Sequence, residues 1–378
     1  MVLFQVSTHF QLICAINVKI QLLPNIEADL HLDDTSDFSW IMEKLHKSGL
    51  FCNIEISKQV QESIKIRKEM IFQIMISRKS LILKQIPDIW KFKNECQYTD
   101  IYFGHDMIPN KWYYYHLVEK GIFPKIHILD EGMSTYFKDL YTVAKYDLLD
   151  HKKYGKNSYF NKIKEQMLFL PEGYMLKNVS WPVTCIPKVN EKVKDILNKI
   201  YSPRRMRVPK EKYIYLAAGG YEEGFYHNEL DLVNQIAKLI GKENIVIKQH
   251  PRHKLDIFSN FGYKVWNDES GMPWEILLLN NDTSAQVYLT LFSNAALSPI
   301  TMLGRSQYTV YLYNLFLGSD RHGLFGKNAE ISFVYLDKIK TIINKEQKYI
   351  FVPKTEEALK ETIRYVDGIL RDGSTKHV

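Results

Sequence analysis

Two short stretches carry side chains whose types and spacing could do chemistry together. Ile126-His127-Ile128-Leu129 runs into Asp130-Glu131-Gly132, and Ile245-Val246-Ile247-Lys248 runs into Gln249-His250-Pro251-Arg252. Each is an apolar run of strand character that ends in polar residues, and ligands of open α/β proteins sit at the carboxyl ends of strands. A carboxylate in such a place can take the proton of an attacking hydroxyl. A histidine between Lys248 and Arg252 can give a hydrogen bond or a proton to a departing anion. The pairing suggests group transfer onto a hydroxyl with an anionic leaving group and no metal. Each stretch also has a plainer account. Asp130-Glu131-Gly132 would serve as a solvated turn ahead of a helix, and His250 as a structural histidine after a strand.

Three further corners bear on the same chemistry. Gly219-Gly220 follows a strand-like run at 213–217 and would let backbone approach a ligand closely, although no GxGxxG fingerprint is present. Glu222 and Glu223 come next and offer a second carboxylate, or simply a solvated surface pair. Ser293-Asn294-Ala295-Ala296 reads as a strand passing into a helix N-terminus, where backbone N–H groups and the helix dipole favour phosphate. A plain N-cap accounts for Ser293 and Asn294 equally well. Asp33, Asp34 and Asp37 do not make a metal-ligating pattern, and no His/Cys cluster has ligand spacing, so no metal site is expected.

Positioning these corners requires alternating strands and helices. The runs at 2–6, 28–32, 50–56, 101–103 and 125–129 read as strands with helical stretches between them, the pattern of βαβ units. Ser7 or Thr8 would cap the first helix, which continues to about residue 19, and helical character returns after the third strand up to about residue 79. Two prolines and a basic cluster at 201–211 read as a linker. A second series follows, with strands at 213–217, 245–248, 287–292 and 308–313, a helix at 228–240, and a last helix at 355–370. The expected organisation is a first domain at 1–200, a second at 212–354, and a C-terminal helix and tail at 355–378.

The 378 residues exceed what one hydrophobic core usually serves, which agrees with two domains. A hydrophobic content of 46% and charged content of 25% are those of a globular protein. The formal charge of +7, with a pI near 8.9, suits phosphorylated ligands or an anionic membrane face. Aromatic residues do not interleave with a basic stripe, so a nucleic-acid partner is not expected. Cys14, Cys52, Cys96 and Cys185 lack CxxC spacing and read as reduced, partly buried thiols of a cytoplasmic protein. The first residues lack the basic segment of an export signal, and no apolar run is long enough to span a bilayer.

The ordered set of motifs resembles the bacterial sialyltransferases, in particular glycosyltransferase family 52, the lipooligosaccharide sialyltransferase-like group. Leu129-Asp130-Glu131-Gly132 is similar to their acidic-acidic-glycine motif, and Lys248-Gln249-His250-Pro251-Arg252 to their His-Pro motif. Thr290-Leu291-Phe292-Ser293-Asn294-Ala295-Ala296-Leu297 resembles their Phe-Ser-x-Ala-Ala-Leu segment, and Thr8-His9-Phe10-Gln11-Leu12 their opening helix. The resemblance spans residues 2–315 and implies a GT-B-like fold: two Rossmann-like domains facing across a deep cleft. It implies CMP-sialic acid as donor substrate, a glycan acceptor, no cofactor and no metal, and inversion at the anomeric carbon. His250 and Ser293 would stabilise the departing CMP phosphate, with Glu275 near the cytidine. Asp130 is the preferred base and Glu222 the alternative, because Gly219-Gly220-Tyr221-Glu222 departs from the family's turn. A UDP-hexose donor on the same fold, or a non-catalytic role in glycan assembly, are the competing readings. Relatives are thought to dimerise, and the tyrosine-rich segment Lys111-Trp112-Tyr113-Tyr114-Tyr115 would build either such an interface or a helix core.

Overall fold

The computed structural model describes residues 1–57, 97–104, 108–137, 153–177, 179–203, 209–218, 229–250, 257–266, 271–316 and 321–374. The expected site residues Gly219, Gly220, Glu222, Pro251 and Arg252 lie outside this set, as does the helical stretch expected up to residue 79. The chain divides into two compact units, Met1–Ser202 and Pro203–Val378.

Unit 1 is built on a seven-stranded sheet of order β3-β2-β1-β4-β5-β6-β7. The strands are β1 (Val2–Val6), β2 (Ala28–Asp33), β3 (Ile54–Ser57), β4 (Asp100–Phe103), β5 (Lys125–Leu129), β6 (Ile163–Leu168) and β7 (Val183–Cys185). Every pair is parallel. Central parallel strands are covered on both faces, which is why β1 is an unbroken apolar run apart from Gln5 and is buried throughout. Helix α1 (His9–Gln21) starts at a capping box: Thr8 Oγ1 accepts the Gln11 N–H while the Gln11 side chain accepts the Thr8 N–H.

The helix Ile108–Glu119 turns Tyr113, Tyr114 and Tyr115 fully inward against Phe103, Ile128 and Tyr159. The tyrosine run is therefore core and does not form a dimer surface. The helix Glu191–Tyr201, capped by the Asn190 side chain, ends unit 1 with Val193, Leu197, Ile200 and Tyr201 buried. Tyr201, read from sequence as the start of a linker, is thus the last residue of a packed helix. Its hydroxyl lies 3.1 Å from His9 Nδ1.

Unit 2 has a six-stranded parallel sheet of order β10-β9-β8-β11-β12-β13. Its strands are β8 (Tyr213–Leu216), β9 (Ile245–Lys248), β10 (Lys264–Val265), β11 (Val287–Thr290), β12 (Tyr308–Tyr311) and β13 (Ile350–Phe351). In both units the chain steps outward twice from the first strand, then returns to its other side. That is the strand order of a Rossmann unit.

Several expected boundaries move. The strand expected at 50–56 begins at Ile54, because Asn53 is held by the Asp29 carboxylate through both its N–H and its side-chain amide. Strand β11 stops at Thr290, whose hydroxyl accepts the Ser293 N–H and so starts a turn. Strand β12 ends at Tyr311. Of the cysteines described, Cys14 is buried, whereas Cys52 and Cys185 are exposed rather than partly buried; none of the three is in a disulfide.

Candidate functional site

The carboxyl end of β5 delivers Asp130 into a closed pocket of donors. Its Oδ1 accepts the Gly132 N–H at 2.8 Å. Its Oδ2 accepts the Tyr136 hydroxyl at 2.7 Å and the Phe169 N–H, just past β6, at 3.1 Å. Gly132 makes this possible by adopting φ 111° and ψ −156°, a region closed to residues with a Cβ. Asp130 is only 2% exposed. Burial pushes its pKa up to about 6, against the three donors that favour the charged form; the neighbouring Glu131 adds a smaller upward push. Glu131 is half-buried, and its Oε1 accepts the Ser134 hydroxyl at 2.5 Å. A carboxylate that titrates near neutrality at a strand end is suited to general base work. Tyr136 and Phe169 were not singled out in the sequence. Nothing in their local pattern marks them, since their role comes from a turn and a neighbouring strand.

Strand order in unit 1 reverses between β1 and β4, the place where a Rossmann unit holds a phosphate. Here that place is already filled. Gln11 Oε1 accepts the Ser7 N–H at 2.6 Å and the Thr8 N–H at 3.3 Å. Gly104, at the end of β4, lets it in: a Cβ there would lie 2.6 Å from Gln11 Oε1. The Ser7, Thr8 and Gln11 N–H groups at this corner are thus taken by the protein's own side chains.

Unit 2 reverses between β8 and β11. Ala217 and Ala218 follow β8, and Ser293-Asn294 follow β11, so topology brings these two corners to adjacent strand ends. Lys248 ends β9 on the other side of β8, and Gln249 and His250 come directly after it. The Thr290 hydroxyl donates to Leu216 O at 2.8 Å and accepts the Ser293 N–H at 3.0 Å, fixing the two corners together.

Ser293 Oγ accepts the Ala295 N–H at 3.4 Å, and the Tyr311 hydroxyl holds its carbonyl at 3.3 Å. The regular helix expected here is instead a 3₁₀ turn, Asn294–Leu297, running into a single helical turn, Ser298–Thr301. So short an element has little dipole, which leaves hydroxyl and amide groups as the donors. The Asn294 Oδ1 is buried without a hydrogen-bond partner.

Glu275 joins this group from the helix Trp274–Asn280. The Trp274 Nε1–H donates to Ala295 O at 3.1 Å and Ser298 Oγ donates to Glu275 Oε1 at 3.3 Å, so the helix is pinned to the turn after β11. Burial raises the Glu275 pKa, while its own backbone N–H, Ser298 and the charge of Lys248 act against that rise. Glu229 is a further residue the sequence reading missed. It is buried at the start of the helix Glu229–Ile240, and its Oε1 accepts both the Ala218 N–H and the Tyr215 hydroxyl at 2.8 Å. Its signal was an acid opening an amphipathic run after a glycine-containing stretch of sequence. Unit 2 thus gathers Lys248, Glu275, Ser293 and Asn294 at one end of its sheet, while Asp130 and Glu131 stand together in unit 1. Among the described residues no group of three His, Cys, Asp or Glu side chains could hold a metal ion. No described helix is long and apolar enough to cross a membrane.

No protein-family model matches the chain, and no curated protein matches it in sequence. Solved structures do. The chain is similar to an α/β-galactoside α-2,3-sialyltransferase from the luminous marine bacterium Photobacterium phosphoreum, with 12% identity and a TM-score of 0.51 over 93% of this chain and 98% of that one. Weaker likenesses are to the kitacinnamycin glycotransferase (10% identity, TM-score 0.45, 93% and 85% covered). Another is to a putative UDP-N-acetylglucosamine 2-epimerase from Listeria monocytogenes (8%, 0.42, 92% and 91%). The fold is that of the GT-B class: two parallel-sheet α/β units of Rossmann type.

Proposed function

We propose that the chain is a metal-independent inverting glycosyltransferase of the family 52 kind. It moves sialic acid from CMP-sialic acid to a terminal sugar hydroxyl of a capsular polysaccharide or lipooligosaccharide. The observation that carries this reading is Asp130, a desolvated carboxylate at a strand end whose pKa sits near 6. In this reading Asp130 takes the proton as the acceptor oxygen bonds to the anomeric carbon. The bond from that carbon to the CMP phosphate oxygen breaks, and its electron pair leaves with CMP. The Glu131 charge beside it adds a small upward push to the Asp130 pKa, and Glu222 is the alternative base.

The reading assigns the nucleotide to unit 2. His250 gives a hydrogen bond or proton to the leaving phosphate. Lys248 and Arg252 offset its charge, and Pro251 belongs to the same donor-side motif. Ser293 and Asn294 add polar contacts, Gly219 and Gly220 allow close backbone approach, and Glu275 accepts from the cytosine. The enzyme works on the cytoplasmic face of the membrane, held peripherally by its positive charge, and as a dimer.

The test is thermal stabilisation by CMP, CDP, UDP and GDP at equal concentration, with and without EDTA. A ligand present at about 100 times its Kd adds about 2.7 kcal/mol to native stability. CMP is expected to stabilise most, with EDTA making no difference. A preference for UDP would replace the donor by a UDP-hexose, and no response to any nucleotide would leave a non-catalytic glycan-assembly role.

A further inference from the structure

His127 lies on β5, three residues before Asp130, and is buried. Its Nδ1 is 2.8 Å from Glu165 Oε1 on β6 and its Nε2 is 3.0 Å from Asp100 Oδ1 on β4. Ionised carboxylates accept hydrogen bonds and do not donate them. Both ring nitrogens must then carry a proton, which makes the ring an imidazolium. The Tyr102 ring stacks on it with centroids 4.3 Å apart and planes 14° apart, offering a π face to the cation. Glu165 is held in turn by the Thr184 hydroxyl of β7 at 2.6 Å. Register slips at this point: Ile126 faces Ile163 but His127 faces Glu165, so Lys164 is an extra residue. Such a bulge re-aims side chains, here Glu165 toward the ring.

The strands stapled by this ring are those that build the Asp130 pocket. Phe169, directly after β6, gives its N–H to Asp130. Gln166, next to Glu165, donates to Thr135 O at 2.7 Å and so holds the turn that carries Tyr136. We infer that His127 is a positioning residue for Asp130: its imidazolium fixes β6 against β5 and keeps the Phe169 and Tyr136 donors on the carboxylate. This role rests on Asp130 being the base.

Burial works against the ring's charge, but the bonds to Asp100 and Glu165 outweigh it and leave its pKa above the ordinary value. The same bonds hold both carboxylates below theirs. The other titratable groups in this network are Tyr102, Lys125 near Asp100 and Lys164 near Glu165. A raised histidine pKa stabilises the fold fully below the unfolded value of about 6.5, and that contribution is lost as pH rises through the folded value. The two lowered carboxylates contribute above about pH 4 to 4.5 and lose their contribution as pH falls through their folded values.

The experiment is an NMR titration of histidine rings and carboxyl carbons in the wild type and in His127→Gln, with unfolding followed from about pH 5 to about pH 9. The ring signal absent from the variant is expected to titrate above about 6.5, and the wild type to lose stability through that titration while the variant does not. With its donors slackened, the Asp130 carboxyl should titrate higher in the variant by roughly half a pH unit or more. A ring titrating below its ordinary value, or an Asp130 titration unmoved by the substitution, would overturn the inference. Asp130 is read through its own carbon, so the result does not depend on turnover. A protein without transferase activity would remove the base assignment and leave the staple standing. Should His127→Gln fail to fold, Glu165→Gln replaces it, with a lowered ring pKa expected and an unchanged one overturning the claim.

Discussion

Asp130 and Glu275 are both carboxylates driven inside, and their surroundings give them different work. Burial pushes the Asp130 pKa up to about 6 against the pull of its three donors, within reach of physiological proton transfer. Transfer should therefore rise with pH through about 6, since a base must be ionised to act; a pH–rate profile flat across that range would remove Asp130 from the role. Asp130→Asn should lower kcat/KM by about 10²- to 10⁴-fold, the usual worth of a general base, with the fold retained. Glu275→Gln is nearly isosteric and keeps an acceptor for Ser298. If the carboxylate reads the nucleoside, CMP affinity should drop about tenfold, or about 1.4 kcal/mol, by calorimetry. The Asp130-Glu131-Gly132 corner was legible because an apolar run ended in acids and a glycine. That Tyr136 and Phe169 would close over it was not, because Phe169 is 39 residues away along the chain.

Elements here are set by small local devices that can be broken one at a time. Gly132 sits at a positive φ that a side chain cannot share, so Gly132→Ala should cost about 1 to 3 kcal/mol in denaturant unfolding and unseat the Asp130 loop. Gly104→Ala would drive a methyl into Gln11 and release the Ser7 and Thr8 N–H groups. About 1 to 3 kcal/mol is expected again, and an unchanged midpoint would show that Gln11 has room to move. Strands β1 to β5, β8, β9, β11 and β12 were legible as strand-like runs, and α1 through its Thr8 cap. Strand β6 was not, because Ile163-Lys164-Glu165-Gln166 carries charge and amide where a buried strand should be apolar. The reason is tertiary: His127 offsets Glu165, and Thr135 and Trp181 occupy Gln166. Strands β10 and β13, two residues each, hold too little pattern to read.

At the scale of the molecule, the two units should respond separately. Asp130→Asn should leave thermal stabilisation by CMP intact, whereas Glu275→Gln should reduce it, because the nucleotide is assigned to unit 2; equal losses in both variants would contradict that division. The sequence by itself determined the alternation of strands and helices, the presence of two α/β units, and the acidic and His-Pro corners at strand ends. These are local matters of periodicity, apolar run length and the residues that end a run. Only the tertiary structure decided which strands are neighbours, and hence that the corners after β8 and β11 adjoin while the phosphate position of unit 1 is closed by Gln11. It also decided that His127 is charged, since its two partners lie 27 and 38 residues away. Pairing order and desolvation belong to the packed chain, and no local stretch of sequence carries them.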